Sequence, residues 1–271
     1  MKKLLSIIFV FILIFSFSFA EVSQELMKKA ENGDRRAQFE VGLKYYQDED
    51  YKKAVNWYKK SANQGHQVAP FNLGVMYYNG IGVSKNLKKA LKWYKKSAEA
   101  GNFKGQYQLA LMYDFGRGTP KNYKKALDWY KKAAEQGLSS AEYKIGSFYL
   151  SGKVVNQDYK KAKKWLEKAA NKDHSWAQNI LGYMYSIGKG IPKDKTKAFN
   201  WYKKAAENGN GSAQASAQAK VGHMYLFGKG ISKNKTKAKL WFQKAFKNEN
   251  TPKNRIKILK EIWEEQELWK Y

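Results

Sequence analysis

The sequence predicts an all-α fold, a solenoid of antiparallel helix pairs, and three observations carry that expectation. Trp57, Trp93, Trp129, Trp165 and Trp201 stand 36 residues apart and Trp241 follows after 40, a period typical of stacked units that bury apolar faces on their neighbours. Each period holds two stretches with apolar residues at helical spacing. A short glycine-bearing segment separates the two and marks a turn. With about six units in a row, function is to be sought on surfaces and not in one central pocket.

The chain opens on a segment that is not expected to belong to the stack. Lys2 and Lys3 precede an apolar run from Leu4 to Phe19, and Ser18-Phe19-Ala20 puts small residues at the two positions a signal peptidase reads. Residues 1–20 are therefore read as a cleaved secretory signal, which places the mature protein in the periplasm or outside the cell. The rival reading is an uncleaved anchor, but the 16 residues of the run reach only about 24 Å as a helix, short of a hydrocarbon core of roughly 30 Å. No stable membrane span is expected after cleavage. The chain has no cysteine, so nothing after Ala20 could carry a lipoprotein anchor, and the stack must accumulate its core along its length without disulfides.

Residues 21–36 look like the closing half of a repeat, ending in Lys28-Lys29-Ala30-Glu31-Asn32-Gly33, and are expected to supply a lone first helix. Six full units then occupy residues 37–250. In the second of these, Ala69, Leu73 and Tyr77 share one face of a first helix, here named A. Gly80 and Gly82 follow, suited to a turn that needs positive φ. Leu87 to Ala98 then forms helix B, with Ala90, Trp93, Tyr94, Ser97 and Ala98 on one stripe and lysines opposite, and Gly101 stands where such a helix stops.

Small residues explain how the two helices meet. Gly42, Gly74, Gly146, Gly182 and Gly222 recur in the middle of helix A, where glycine costs about 1 kcal/mol against alanine. Close approach of helix B through the ladder Ala54, Ala90, Ala126, Ala162, Ala198 and Ala238 would offset that cost. The indoles of Trp57, Trp93, Trp129, Trp165, Trp201 and Trp241 are expected to fill the space beside the glycines, each burial being worth up to about 4–6 kcal/mol.

Read together, A-x-x-x-[LV]-G-x-x-Y, then G-x-G, then K-A-x-x-W-Y-x-K-A-A-x-x-G resembles the Sel-one-like repeat family, a relative of the tetratricopeptide repeats. The match runs from about Ala37 to Ala245. The resemblance implies a right-handed superhelix of helix pairs and a role in protein–protein contact. Some exported members pair cysteines within each repeat, and a β-lactamase activity has been proposed for such cysteine-rich members. This chain resembles the branch without them.

Departures from the pattern are informative. Between Tyr45 and Ala54 the first unit lacks the glycine turn and is four residues shorter, so its helices should be tightly joined. The third unit exchanges Ala and Gly at Gly105 and Ala110, and the fourth reads Gly152-Lys153-Val154, losing its second glycine; both are read as tolerated drift. Ser212-Ala213-Gln214-Ala215 is followed by an identical Ser216-Ala217-Gln218-Ala219, adding about one helical turn. Residues 251–271 are expected to cap the stack with a terminal helix, Ile256, Leu259, Ile262, Trp263 and Trp269 lining one face and Lys260, Glu261, Glu264 and Glu265 the other.

The formal net charge is +28, and +26 without Lys2 and Lys3, from 51 basic against 23 acidic residues. Only Arg35, Arg36, Arg117 and Arg255 are arginine, which argues against nucleic acid as a partner because base and phosphate readers favour the bidentate guanidinium. Lys59/Lys60, Lys95/Lys96, Lys131/Lys132 and Lys203/Lys204 repeat on helix B. They are either a solvated face reflecting lysine-rich composition or a basic stripe attracting anionic envelope or host components.

The main partner expected is another protein. In tetratricopeptide-like stacks helix A lines the concave face, and the position three before the helix-A glycine, or before Ala110 in the third unit, holds Phe39, Phe71, Tyr107 and Tyr143, then Asn179 and Ala219; Tyr46 and Tyr78 add rings to the early units. These aromatics are either binding hot spots in that groove or ordinary packing between units. An enzymatic reading finds little support. His66, His174 and His223 are scattered without metal-ligand spacing, so no metal and no cofactor are expected. Ser186-Ile187-Gly188-Lys189 and Ser232-Lys233-Asn234-Lys235 match S-x-x-K, the nucleophile motif of β-lactam-interacting hydrolases, but no K-T-G accompanies them. The G-x-G pairs lack the preceding strand of a phosphate-binding loop and are read as turns. The expected function is that of an exported, bacterial, non-catalytic adaptor.

Overall fold

The computed structural model describes residues 24–270; the segment read as an export signal lies outside them. Among the described residues every regular element is helical. Helix α1 covers 24–31. The A helices are α2 (Arg35–Gln47), α4 (Ala69–Asn79), α6 (Phe103–Phe115), α8 (Ser139–Ser151), α10 (Ser175–Ile187) and α12 (Gly211–Phe227). Their B partners are α3 (Tyr51–Asn63), α5 (Leu87–Glu99), α7 (Tyr123–Glu135), α9 (Tyr159–Ala170), α11 (Lys195–Asn208) and α13 (Lys235–Lys247), and α14 (Lys253–Glu265) with a 3₁₀ turn (Leu268–Lys270) ends the chain. These fall into two compact units that divide within α7, after Trp129.

In the first unit Ala30 of α1 packs with Ala37 and Val41 of α2. Tyr58 and Ala62 of α3 then meet Ala69, Leu73 and Met76 of α4, and Tyr94 and Ala98 of α5 meet Leu109 and Met112 of α6. In the second unit Leu166 and Ala169 of α9 face Ala177, Leu181 and Met184 of α10. A larger cluster from α10 to α13 is closed by Leu259 of α14 and by Leu268. The end cap therefore differs in detail from expectation: Trp269 is 54% exposed, and its neighbour Leu268 fills the apolar slot.

The glycines do mark close approach of helix B, but the group seated over each is the residue after the tryptophan. A Cβ on Gly42, Gly146, Gly182 or Gly222 would lie 2.7–2.8 Å from Tyr58, Leu166, Tyr202 or Phe242 respectively, and one on Gly74 would strike the Tyr94 ring. Those five side chains are buried, whereas Trp57, Trp93, Trp129, Trp165 and Trp201 are half-buried and only Trp241 is buried. The indoles lean on neighbouring layers instead: Trp57 covers the α1–α2 cluster and Trp93 the α3–α4 cluster.

The A–B turns are locked the same way in every unit. Asp50, Asn86, Asn122, Asp158, Asp194 and Asn234 precede the B helices, and each side-chain oxygen accepts the backbone N–H of the lysine three residues on, satisfying a donor the helix cannot. The first glycine of each G-x-G ends helix A in the left-handed conformation, as at Gly80 with φ of 82°. The second has a packing reason as well as a turn reason. A Cβ on Gly82 would lie 2.6 Å from Tyr51 at the start of the preceding B helix, and Gly118, Gly190 and Gly230 meet Leu87, Tyr159 and Lys195 in the same place. In the first unit residues 48–50 join α2 to α3 directly, with Glu49 at positive φ.

Two departures acquire reasons. Gly105 is not drift, because a Cβ there would collide with Ser97 of α5. The duplication makes α12 a helix of 17 residues where α10 has 13. It also displaces a buried contact. Gln38, Gln106 and Gln178 each donate their side-chain amide to the carbonyl of the alanine eight residues earlier, Ala30, Ala98 and Ala170, at 3.0–3.4 Å. In α12 Gln214 makes this bond, to Ala206 at 3.3 Å, while Gln218 accepts from Asn248.

Candidate functional site

Helix A turns its glycine toward helix B, so residues one and five positions later lie about 100° and 140° around the helix and face away from that partner. The exposed large apolar side chains of the A helices gather there. Leu43 and Tyr183 occupy the first position and Phe115, Ile187 and Phe227 the second, each between 38% and 48% exposed. On α10 the row is fullest. Trp176, Tyr183 and Ile187 are all exposed, and half-buried Ile180 lies between them at helical spacing. This row escaped the sequence reading because its exposed residues lie about 40° to 80° around the helix from the recurring aromatic position. The signal was present in exposed-face registers that a soluble helix ordinarily fills with charge.

The aromatic candidates sit nearer the joints. Phe39 stacks on His66 with centroids 4.4 Å apart and tilts against Tyr58 at 5.6 Å. Tyr143 stacks on His174 at 4.6 Å, and Phe71 lies 6.1 Å from Tyr94. Tyr107 is half-buried at the same register, where Asn179 is buried and donates to the Ala213 carbonyl at 2.8 Å. Tyr46 meets Tyr51 edge-on at 5.2 Å, and Tyr78 accepts a hydrogen bond from the Arg117 guanidinium. Phe39, Phe71, Tyr143, Tyr46 and Tyr78 thus touch the framework, and each keeps part of its surface open.

The two stacked imidazoles are structural. His66 Nδ1 accepts the backbone N–H groups of Val68 and Ala69 at 3.2 and 3.1 Å, and His174 Nδ1 accepts that of Ala177 at 3.3 Å. Only an unprotonated Nδ1 can do this. Burial lowers the pKa of both histidines, helped at His66 by Arg35 and Arg36. Among the described residues no group of three His, Asp or Glu side chains could hold a metal ion.

The B-helix lysines also have work in the framework. Lys60, Lys168, Lys204 and Lys244 lie 4.0–4.9 Å from the indole centroids of Trp57, Trp165, Trp201 and Trp241, and Lys96 lies 5.5 Å from that of Trp93. Each ammonium lies over the ring face, where a cation meets the negative side of the π system. The lysines that follow the N-caps do likewise, with Lys89, Lys125, Lys161, Lys197 and Lys237 lying 5.5–5.7 Å from Tyr77, Tyr113, Tyr149, Tyr185 and Tyr225.

Neither S-x-x-K motif is contained within one helix. Ser186 donates its hydroxyl to the Tyr183 carbonyl at 2.8 Å, and left-handed Gly188 ends the helix between it and Lys189. Ser232 is exposed in the turn before α13.

Known proteins place this architecture. A crystal structure of a Sel1 repeat protein from Oxalobacter formigenes is 35% identical, covering 85% of this chain and 91% of that one, with a TM-score of 0.76. A protective antigen of uropathogenic Escherichia coli, described as displaying an SLR fold, is also 35% identical, with a TM-score of 0.78 over 82% of this chain; the chain spans about half, 48%, of its length. A Helicobacter pylori protein provisionally named as a beta-lactamase, HcpC, is 40% identical over only 47 residues, 17% of this chain and 16% of that one. The Sel1 repeat model matches residues 35–66, 68–102, 104–138, 139–174, 177–210 and 215–250, and the chain belongs to the Sel1 repeat family.

Proposed function

We propose that this protein is an exported, non-catalytic scaffold that binds another protein through the exposed face of its A helices. Sel1 repeat proteins are typically protein–protein interaction scaffolds, and the family membership supports that broad role here. The single observation that carries the finer reading is the apolar row of α10, where Trp176, Tyr183 and Ile187 stand exposed on one helix face. An exposed aromatic row of this kind is what interface hot spots are built from. Export is supported by Lys2, Lys3, the apolar run to Phe19 and the small residues around Ala20. The beta-lactamase name of the Helicobacter protein is not carried over, since the matching stretch is a small part of either chain.

Site-specific photocrosslinking tests the binding face. A photoreactive residue at Leu43 or Tyr183 should trap a partner in the native envelope fraction, while one at Lys92 or Lys164 on the B helices should not. Equal trapping from the B helices would contradict the assignment. Amino-terminal sequencing of the protein recovered from that fraction should begin at Glu21, and an intact Met1 would remove the export proposal.

A further inference from the structure

The second unit holds a cleft of about 590 Å³ lined by the end of α10, the turn into α11, the outer side of α12 and α14. This is the size of a small-ligand site. Its cations are Lys193, Lys195, Lys220, Lys229 and Arg255, with His223 beside them, and none of the described lining residues is Asp or Glu. Its apolar wall is made by Ile187, Met224, Phe242, Ile258, Leu259 and Ile262. Ile258 is 53% exposed although it is part of this wall.

The cations are not neutralised from within. Lys220 is half-buried, with its ammonium 4.5 Å from the Tyr202 ring centroid. Among the described residues it has no carboxylate partner, and Arg255 spends one donor on the Ser216 hydroxyl at 2.9 Å. Burial, with the positive charge of Arg255 adding to it, brings Lys220 down to about 8, against an ordinary value of about 10.4. A half-buried ammonium sharing a cleft with a like-charged guanidinium is the arrangement an incoming anion relieves. The aliphatic wall beside it rewards a ligand that is not purely polar.

We propose that this cleft binds a carboxylate carried on an apolar body, the anion seated at Lys220 and Arg255 and the body against Ile258 and Leu259. A fatty acid and the free carboxyl end of a peptide with apolar last residues share that chemistry. The site shares only Ile187 with the apolar row of α10, and its test reads the anion seat at Lys220 and Arg255, so either proposal can fail alone.

Calorimetric titration of the mature chain decides it, with four probes: decanoate, decanol, N-acetyl-Leu-Leu as the free acid, and the same dipeptide as its amide. At least one charged probe should bind saturably, and its neutral counterpart should bind at least tenfold more weakly. The charged probe that binds identifies the source. Lys220→Met keeps the apolar stem and should weaken that probe at least tenfold, with Arg255→Gln as a second variant. In the wild type the affinity should fall as pH rises through 8, because Lys220 loses its proton while Arg255 stays charged and His223 is already neutral; Lys220→Met should lose that dependence. Failure of both charged probes to bind, equal binding of a neutral counterpart, or wild-type affinity in the folded variants would overturn the proposal.

Discussion

At the A–B contacts one buried side chain of helix B lies over each of the five helix-A glycines. Tyr94 lies against Gly74 and is 2% exposed, while the adjacent Trp93 keeps part of its indole in solvent. Tyr94→Ala should therefore cost about 3–5 kcal/mol, as for a fully buried aromatic, and Trp93→Ala only about 1–3 kcal/mol. Equilibrium denaturation of the two variants checks the order, and a larger loss from Trp93 would reverse it. Position in the period could not tell these neighbours apart, since both fall on the inward half of helix B. What separates them is size: a single ring of Tyr or Phe, or a Leu, fits over a bare glycine backbone, and a larger bicyclic indole with a donor to keep wet does not.

The histidines make a second statement at this scale. Because the folded state depresses the pKa of His66 and His174, their contribution to stability is complete above about pH 6.5 and is lost as pH falls from there through the folded values. Asn is a good N-cap that does not titrate. His174→Asn should match the wild type at pH 8 and lose less stability between pH 7 and pH 5. A parallel fall in both proteins would show that the imidazole cap is not responsible.

Helices and turns were the most legible elements in this chain, because glycine, alanine and tryptophan recur in one register and each copy checks the others. The direct α2–α3 link and the extra turn of α12 could be read from residue counts alone. The buried glutamine row could not, since a polar residue in a helix is ordinarily assigned to solvent. Its clue was positional: Gln38, Gln178 and Gln218 stand four before the helix-A glycine, and Gln106 stands four before Ala110 in the same register. Gln178→Leu leaves the Ala170 carbonyl without its side-chain donor and should cost about 1–3 kcal/mol. Gln218→Leu should cost less than about 1 kcal/mol, because Gln214 has taken over the bond to Ala206. Equal losses from the two would mean that the duplicated turn did not transfer the contact.

For the molecule as a whole, the excess of lysine is coupled to its aromatics. The same side chains that give a net charge of +28 cover indole and phenol faces unit after unit. The candidate site was less legible than the fold for a related reason. A solenoid repeats its framework and varies its outer face, so periodicity identifies Gly74 and the Trp93-Tyr94 pair readily but says nothing of Trp176 or Tyr183, since neither residue type is repeated at the equivalent positions of the other units. The aromatics at Phe39 and Tyr143 were found because they do recur, and recurrence is a mark of the joints.

The central claim is that recognition lies on the exposed A-helix face while the joints carry stability. Quantitative capture of the crosslinked partner by a Trp176→Ser, Tyr183→Ser double variant tests it most directly. The account predicts that the variant melts within about 4 °C of the wild type, equivalent to roughly 1 kcal/mol, and captures less than a tenth as much partner. Wild-type capture by the folded variant would contradict it.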